Sequence, residues 1–410
     1  MISKAQSNNQ KKIWLWTSIG INLGFLMFFK YFNFFIETFA GTFSLFGYTI
    51  SGWTLNILLP VGISFYTFHG LSYVIDIYNN RIKPEGSFIN YSLFVSFFPL
   101  LVAGPIERAT HLLPQIKNKR IFRNEEAIAG LKQILWGLFK KVVIADNCAK
   151  YADIAFNNTE GSSGSTLVLG AVFFAFQIYG DFSGYTDIAL GSARLLGIKL
   201  LRNFSYPYFS VNIAEFWRKW HISLSSWFRD YVYIPLGGSR VTRDKQIRNV
   251  FIVFVLSGFW HGANWTFIIW GILHFLYFLP LLLLNRNRKI NEDNKNLPDI
   301  KTLANIIITF IMVTFAWIFF RAENINHAFS YISGIFSGSF FSVPELFPKT
   351  LLLTIAIFVV LEWRARNNEI ALDSILHRTP LFLRYAVYYF ILFLVFYYSS
   401  EQRQFIYFQF

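Results

Sequence analysis

Apolar runs of about 20 residues recur along the chain, the length a helix needs to cross a bilayer. The clearest are 13–36, 54–78, 166–197, 301–320, 346–363 and 381–400. A less regular run, 131–156, carries Lys140 and Lys141 beside Trp136 and Phe139. Those lysines are expected to snorkel or to face a polar interior. The pattern predicts an all-α polytopic membrane protein, a single integral domain over residues 1–410. Residues 1–12 are polar and basic and lead straight into the first run. That run reads as a retained span, because a cleaved signal has a shorter apolar core and a small-residue cleavage site.

The connecting segments give orientation. Residues 38–52, 157–165 and 322–345 contain no Lys or Arg. The others are basic: Arg81 and Lys83, Lys117 to Arg123, Arg194 to Arg202, Arg240 to Arg248, Arg286 to Lys289, and Arg364 to Arg378. Cytoplasmic loops carry the excess of Lys and Arg, so the N-terminus is expected inside and the C-terminus outside. Two apolar segments then have basic loops at both ends. Residues 88–104 are expected to re-enter rather than cross. Residues 249–284 are too short for two comfortable spans and a turn, and read as two broken helices meeting at SGFWHGANW. This puts His261 at the deep end of a cavity open to the cytoplasm.

Residues 211–233 have a different period. At about 100° per residue, Ile213, Phe216, Trp217, Trp220, Leu224, Trp227 and Tyr231 share one stripe, with Arg218 and Arg229 opposite. An amphipathic helix at the cytoplasmic interface, or tucked beneath the bundle, is the expectation. His221 would sit at the edge of its apolar stripe.

Composition narrows the chemistry. The chain is 54% hydrophobic, 20% aromatic and only 15% charged, against about 25% charged in soluble proteins. Its net charge of +14 is distributed among inter-span loops, which favours the lipid bilayer over nucleic acid as partner. The single cysteine, Cys148, excludes an intrachain disulfide framework and a multi-thiolate metal site. Phosphate-loop, dinucleotide, zinc-protease and nucleophile-elbow motifs do not occur.

The polar residues in apolar sequence are the candidates. His221 and His261 lie in similar Trp-His contexts forty residues apart. An ionisable residue at membrane depth marks a functional site by default, and histidine suits proton abstraction from a hydroxyl. No carboxylate or thiolate at ligand spacing supports a metal there. Asp181 and Asp187 fall in QIYGDFSGYTDIALG, where Gly180, Gly184 and Gly191 permit close helix packing. Asp181 is read as a relay, an orienting acceptor, or a partner for Arg194 or Lys140. His69, with Asp76 after it, is a second candidate for the same cavity; His274 reads as a packed residue.

The stretches FWRKWHISLSSWFRDYVYIPLGG and SGFWHGANW resemble the membrane-bound O-acyltransferase (MBOAT) family, closest to its alginate O-acetyltransferase branch. PVGISFYTFHGLSYVIDIY, LVAGPIERATHLLPQI, YGDFSGYTDIALG and the ending EQRQFIYFQF extend the likeness over nearly the whole chain. The resemblance implies a bundle of transmembrane helices with re-entrant segments around a central passage. It implies acyl transfer from a cytoplasmic thioester, acetyl-CoA or an acyl carrier, to an exported polysaccharide, with an extracytoplasmic acyltransferase partner and no bound cofactor or metal. The setting would be the cytoplasmic membrane of a bacterium. His261 matches the family's catalytic histidine and His221 its second. Trp217, Trp220 and Trp260 are expected to line the passage with Asp181. Arg218, Arg229 and Arg240 would hold donor phosphates, and Asn264 or a tryptophan N–H would stabilise an oxyanion. A sister branch transfers D-alanine to teichoic acid; PLGG at 235–238 favours the alginate-type branch. Relatives commonly carry further apolar segments before the equivalent of residue 13, and those spans are expected to be missing here. Against acyl transfer stands a transporter or export component without chemistry of its own, for which no internal repeat is found.

Overall fold

The computed structural model describes residues 1–48, 54–288, 297–399, 403, 405 and 406. Most of the ending EQRQFIYFQF, residues 289–296 of the polar loop, 49–52 of the loop 38–52, and residues 53 and 400 lie outside the described residues. Among the described residues no strand occurs. The helices are α1 (Asn8–Ser44), α2 (Ile63–Tyr78), α3 (Phe88–Val95), α4 (Ala109–Lys117), α5 (Asn124–Leu138), α6 (Asp146–Asn157), α7 (Gly164–Leu195), α8 (Ile213–Lys219), α9 (Ile222–Phe228), α10 (Arg243–His261), α11 (Trp265–Leu283), α12 (Ile300–Arg321), α13 (Ile325–Ile335), α14 (Lys349–Ala365), α15 (Ala371–Leu376) and α16 (Leu381–Tyr398). Five of them, α1, α7, α11, α12 and α16, are long and apolar enough to cross a membrane. The protein is a multi-pass membrane protein.

Burial ranks the spans. The apolar window of α7 is 83% buried, whereas those of α1 and α16 are 11% buried. So α7 is the axis of the bundle, and α1 and α16 turn most of their apolar surface to lipid. Close contact between α5 and α7 rests on facing glycines, as the sequence predicted for Gly184 and Gly191. A Cβ on Gly184 would stand 2.7 Å from the Gly137 carbonyl oxygen, and one on Gly191 2.5 Å from that of Gly130. Without side chains the backbones approach to packing distance, as helices in lipid do.

Three π-helical turns interrupt the α pattern: Met27–Tyr31, Phe139–Ala145 and Arg229–Tyr233. Each delivers polar side chains inward. Lys30 and Tyr31 reach α10. Lys140 meets Asp187 at 2.5 Å, and Lys141 meets Asp181 and Asp146 at 2.8 Å each. Tyr231 donates to Asp76 at 2.8 Å. The two lysines thus face a polar interior. Asp181 pairs with Lys141, not with Arg194 or Lys140; Arg194 instead holds Glu126 at 3.1 Å. The second carboxylate oxygen of Asp181 accepts the Ile406 N–H at 2.7 Å, pinning the C-terminal tail to the axis. Breaking one partner of such a buried pair leaves an uncompensated charge and costs roughly 3–5 kcal/mol.

Several sequence expectations change. Residues 249–284 hold two intact helices, not broken ones: α10 and α11 have 19 residues each. At 1.5 Å per residue each is about 28 Å long, and of the two only α11 is apolar enough to cross a membrane. The segment was undercounted because α10 begins at Arg243, inside the basic loop, and only Gly262, Ala263 and Asn264 make the turn. Residues 211–233 are two short helices and a π turn. Their stripe is buried in the bundle, although Arg218 and Arg229 stay exposed as expected. The run 54–78 becomes helical only at Ile63, and 88–104 stops as a helix at Val95 before a turn around Pro99.

The glycine contact gives a direct check. Gly184→Val should destabilise the bundle by about 1–3 kcal/mol through overpacking. The measurement is the melting temperature of the detergent-purified protein, which should fall; an unchanged value would contradict the close crossing.

Candidate active site

His221 sits where the chain breaks between α8 and α9. Its backbone is left-handed, φ +43° and ψ +54°, a conformation costing about 1–3 kcal/mol for a residue with a Cβ. Hydrogen bonds to the strand-like stretch before it hold the break open. Ser205 N–H donates to the Lys219 carbonyl and Ile222 N–H to the Asn203 carbonyl, both at 2.9 Å.

The side chain of Asn203 then fixes the imidazole. Its Oδ1 lies 2.9 Å from His221 Nδ1 and accepts the Ser223 hydroxyl at 2.9 Å and the Ser223 N–H at 3.4 Å. The Ser223 hydroxyl is itself committed, because it accepts the Ile106 N–H at 2.9 Å. A backbone N–H can only donate, so the Asn203 atom facing it is the oxygen. His221 Nδ1 must therefore carry the proton, and Nε2 presents a bare lone pair. That Nε2 is buried and has no hydrogen-bond partner.

His261 is the last residue of α10. Its ring centre lies 6.5 Å from that of His221, 4.9 Å from Trp260, 5.1 Å from Trp270 and 5.2 Å from Phe320. The two histidines singled out by sequence are therefore brought together, both buried. The indole N–H groups of Trp260 and Trp270 are also buried without partners. Buried polar groups in native structures are nearly always paired. Two unpaired donors and one unpaired imidazole lone pair thus lie around the His261 ring.

The remaining candidates divide. Asn264 is used structurally at both ends of its amide. Its Oδ1 caps α11 by accepting Thr266 N–H at 3.1 Å, and its Nδ2 donates to the Glu323 carbonyl at 2.7 Å. Of the two kinds of oxyanion donor considered from sequence, the tryptophan N–H is the one left available. Trp220 is stacked on Phe216, ring centres 5.5 Å apart, and meets Trp317 at a tilt, 5.1 Å away. Trp217 donates its Nε1–H to His274 Nδ1 at 3.3 Å and lies 5.7 Å from Trp270. It also lines a cavity of about 820 Å³ with Phe228, Arg229, Tyr233, Phe254 and Arg288. Arg218 lies outside that lining and donates to the Asn287 carbonyl at 2.8 Å; Arg240 also lies outside it. Asp181 does not reach the histidines, but its neighbour Phe182 meets the His221 ring edge-on at 4.8 Å. His69 belongs elsewhere: its Nε2 accepts the Glu107 N–H at 3.2 Å.

Three residues were not singled out from sequence for this site. Asn203 follows the basic loop and gives no signal, since its role depends on a contact eighteen residues along. His274 had one available signal, its four-residue spacing from Trp270 on one face of α11. Lys30 comes from the far end of the chain.

Comparison with known proteins gives the following. The model of the membrane-bound O-acyltransferase family matches residues 79–322. The probable alginate O-acetylase AlgI of Pseudomonas aeruginosa is 39% identical over 333 residues, covering 81% of this chain and 62% of that protein. A peptidoglycan O-acetyltransferase of Helicobacter pylori is 39% identical over 362 residues, 82% of this chain and 66% of its own length. A teichoic acid D-alanyltransferase of Bacillus subtilis is 30% identical over 290 residues, 66% of this chain and 71% of its own. The chain thus spans less than two thirds of the length of the two O-acetyl-transferring relatives.

The tautomer is open to measurement. Nitrogen NMR of His221 should show a protonated Nδ1 and a bare Nε2, and Asn203→Leu should abolish that preference. A protonated Nε2 in the unmodified protein would contradict the assignment.

Proposed function

We propose a function from one premise: this chain belongs to the membrane-bound O-acyltransferase family. Our reading is O-acetylation of an exported or cell-surface polysaccharide in a bacterial cytoplasmic membrane, with acetyl-CoA as donor. The observation that carries it is the buried His221–His261 pair, ring centres 6.5 Å apart, ringed by polar atoms that a bound substrate would satisfy.

The donor approaches through the cavity of about 820 Å³ beside α8 and α9. Arg229 and Arg288 on its lining supply the positive charge that phosphates need. Arg229 is the one sequence candidate among three that meets the cavity; Arg288 replaces the other two. From there Trp217 leads inward to Trp270, which touches His261. The aromatic walls exclude water, which would otherwise hydrolyse the thioester.

At the pair, a hydroxyl is held against His261 and the thioester carbonyl against the indole N–H of Trp260 or Trp270. His261 takes the hydroxyl proton as the oxygen forms its bond to the carbonyl carbon. The negative charge gathers on the carbonyl oxygen and is held by the indole donors. The carbon–sulfur bond breaks, and the proton passes from the imidazolium to the leaving sulfur. His221 offers the lone pair of Nε2 to orient the donor or to steady charge. An extracytoplasmic partner carrying the acetyl group onward to the glycan fits the same chemistry.

Two observations favour acetyl over D-alanyl transfer. Identity is higher to the acetyl-transferring relatives, and the turn at 235–238 is PLGG, with Gly237 and Gly238 at φ +100° and +56°.

His261→Ala should abolish polysaccharide acetylation while the protein still inserts and accumulates. Mass analysis of cell polysaccharide with the wild type and the variant is the measurement. Near-normal acetylation in the variant would reject the assignment.

A further inference from the structure

The helix that carries His261 ends without a cap of its own. The last carbonyls of a helix have no intrahelical partner, and after His261 the chain turns to extended backbone at Gly262, φ −162°. No backbone N–H among the described residues donates to the carbonyls of Phe259 or Trp260 outside the helix. They are satisfied instead from the other end of the sequence. Lys30 Nζ donates to the Trp260 carbonyl at 2.8 Å and to the His261 carbonyl at 2.9 Å. Tyr31 donates its hydroxyl to the Phe259 carbonyl at 2.8 Å and approaches that of Trp260 at 3.3 Å. The π turn Met27–Tyr31 lets two consecutive residues reach one partner helix.

Lys30 differs from the other two lysines that π turns deliver inward. Lys140 and Lys141 each meet carboxylates. Among the described residues Lys30 meets none; its ammonium rests on two carbonyls and lies 5.8 Å from the centre of the Trp260 ring and 5.9 Å from that of Tyr31. A lone charge at membrane depth is expensive. What offsets it here is the negative end of the α10 dipole and two aromatic faces. A neutral hydrogen-bonding residue would cap the helix at lower cost, so the charge itself is a feature to explain.

We infer that Lys30 is a positioning residue for His261. It fixes the tip of α10, and with it the direction of the imidazole and of the Trp260 indole. This rests on the acyl-transfer reading for its consequence, though not for its geometry. Lys30 lies outside residues 79–322, which the family model matches, so nothing in that match assigns it.

Three variants separate positioning from plain structural support: Lys30→Met, which keeps length and loses charge and donors; Lys30→Arg, which keeps both; and Tyr31→Phe, which removes only a neutral donor. The first readout is amide hydrogen exchange. Lys30→Met should speed exchange at residues 257–264 at least tenfold and leave α7 unchanged, and Lys30→Arg should restore most of the protection. The second is steady-state turnover of labelled acetyl-CoA, per folded molecule counted by gel filtration. Lys30→Met should lower kcat roughly 10²-fold, the scale of a small misplacement of a catalytic group, with KM for the donor within about twofold. Tyr31→Phe should lower kcat far less. Folded Lys30→Met with wild-type exchange at 257–264 overturns the inference. So does wild-type kcat per folded molecule with only a lower yield, because that is what a merely structural lysine would give. If the wild type itself turns over no thioester, the acyl-transfer reading fails, and the exchange pattern alone then decides the role of Lys30.

Discussion

A polar group inside an apolar bundle has no water to bond with, and the whole site is an answer to that constraint. Each buried donor and acceptor must find its partner in the protein or wait for a ligand. Around His221 the partners are supplied: Ile106 N–H to the Ser223 hydroxyl, the hydroxyl to Asn203, and the His221 Nδ1–H to the same oxygen. This chain of bonds holds a left-handed residue at a helix break and selects its tautomer. Among the unpaired groups, His221 Nε2 and the N–H of Trp260 and Trp270 belong to rings that surround the His261 imidazole.

The same constraint explains how the helices are arranged. Glycines let α5 and α7 close to backbone contact, leaving space at the π turn for two lysines to reach the carboxylates of α7. Asp181, a natural candidate for chemistry, is consumed in that architecture and in anchoring the tail at Ile406. The α10–α11 hairpin is sealed similarly, for a Cβ on Gly258 would stand 2.3 Å from the Phe267 carbonyl oxygen. A hairpin so tightly closed beside its turn holds His261 at a defined place and angle.

Much of this was legible in the sequence, and the failures have physical causes. Long apolar runs gave the main spans, and the clustering of Trp and His pointed to the two histidines that the fold brings together, because both signals are local. Hairpin length was misjudged because a helix start inside a basic loop carries no apolar signal. The stripe over 211–233 was right about which face is buried. It was wrong about continuity, because nothing in the pattern announces a left-handed histidine. Asn203 and Lys30 were invisible for a third reason: their roles are defined by contacts 18 and 230 residues away. Intrinsic periodicity reports on helix faces, not on which distant helix will need a cap or an acceptor.

In the proposed function the histidine pair is reached by a thioester through the cavity bearing Arg229 and Arg288, from the cytoplasmic side. Sealed vesicles holding the purified protein in one orientation, supplied with polysaccharide on both sides, test it most directly. Labelled acetyl-CoA added to the face that exposes Arg229 and Arg288 should be consumed, with label recovered in polysaccharide. The same donor confined to the opposite face should remain intact. Equal consumption from either face, or none from the Arg229 face, would contradict the account.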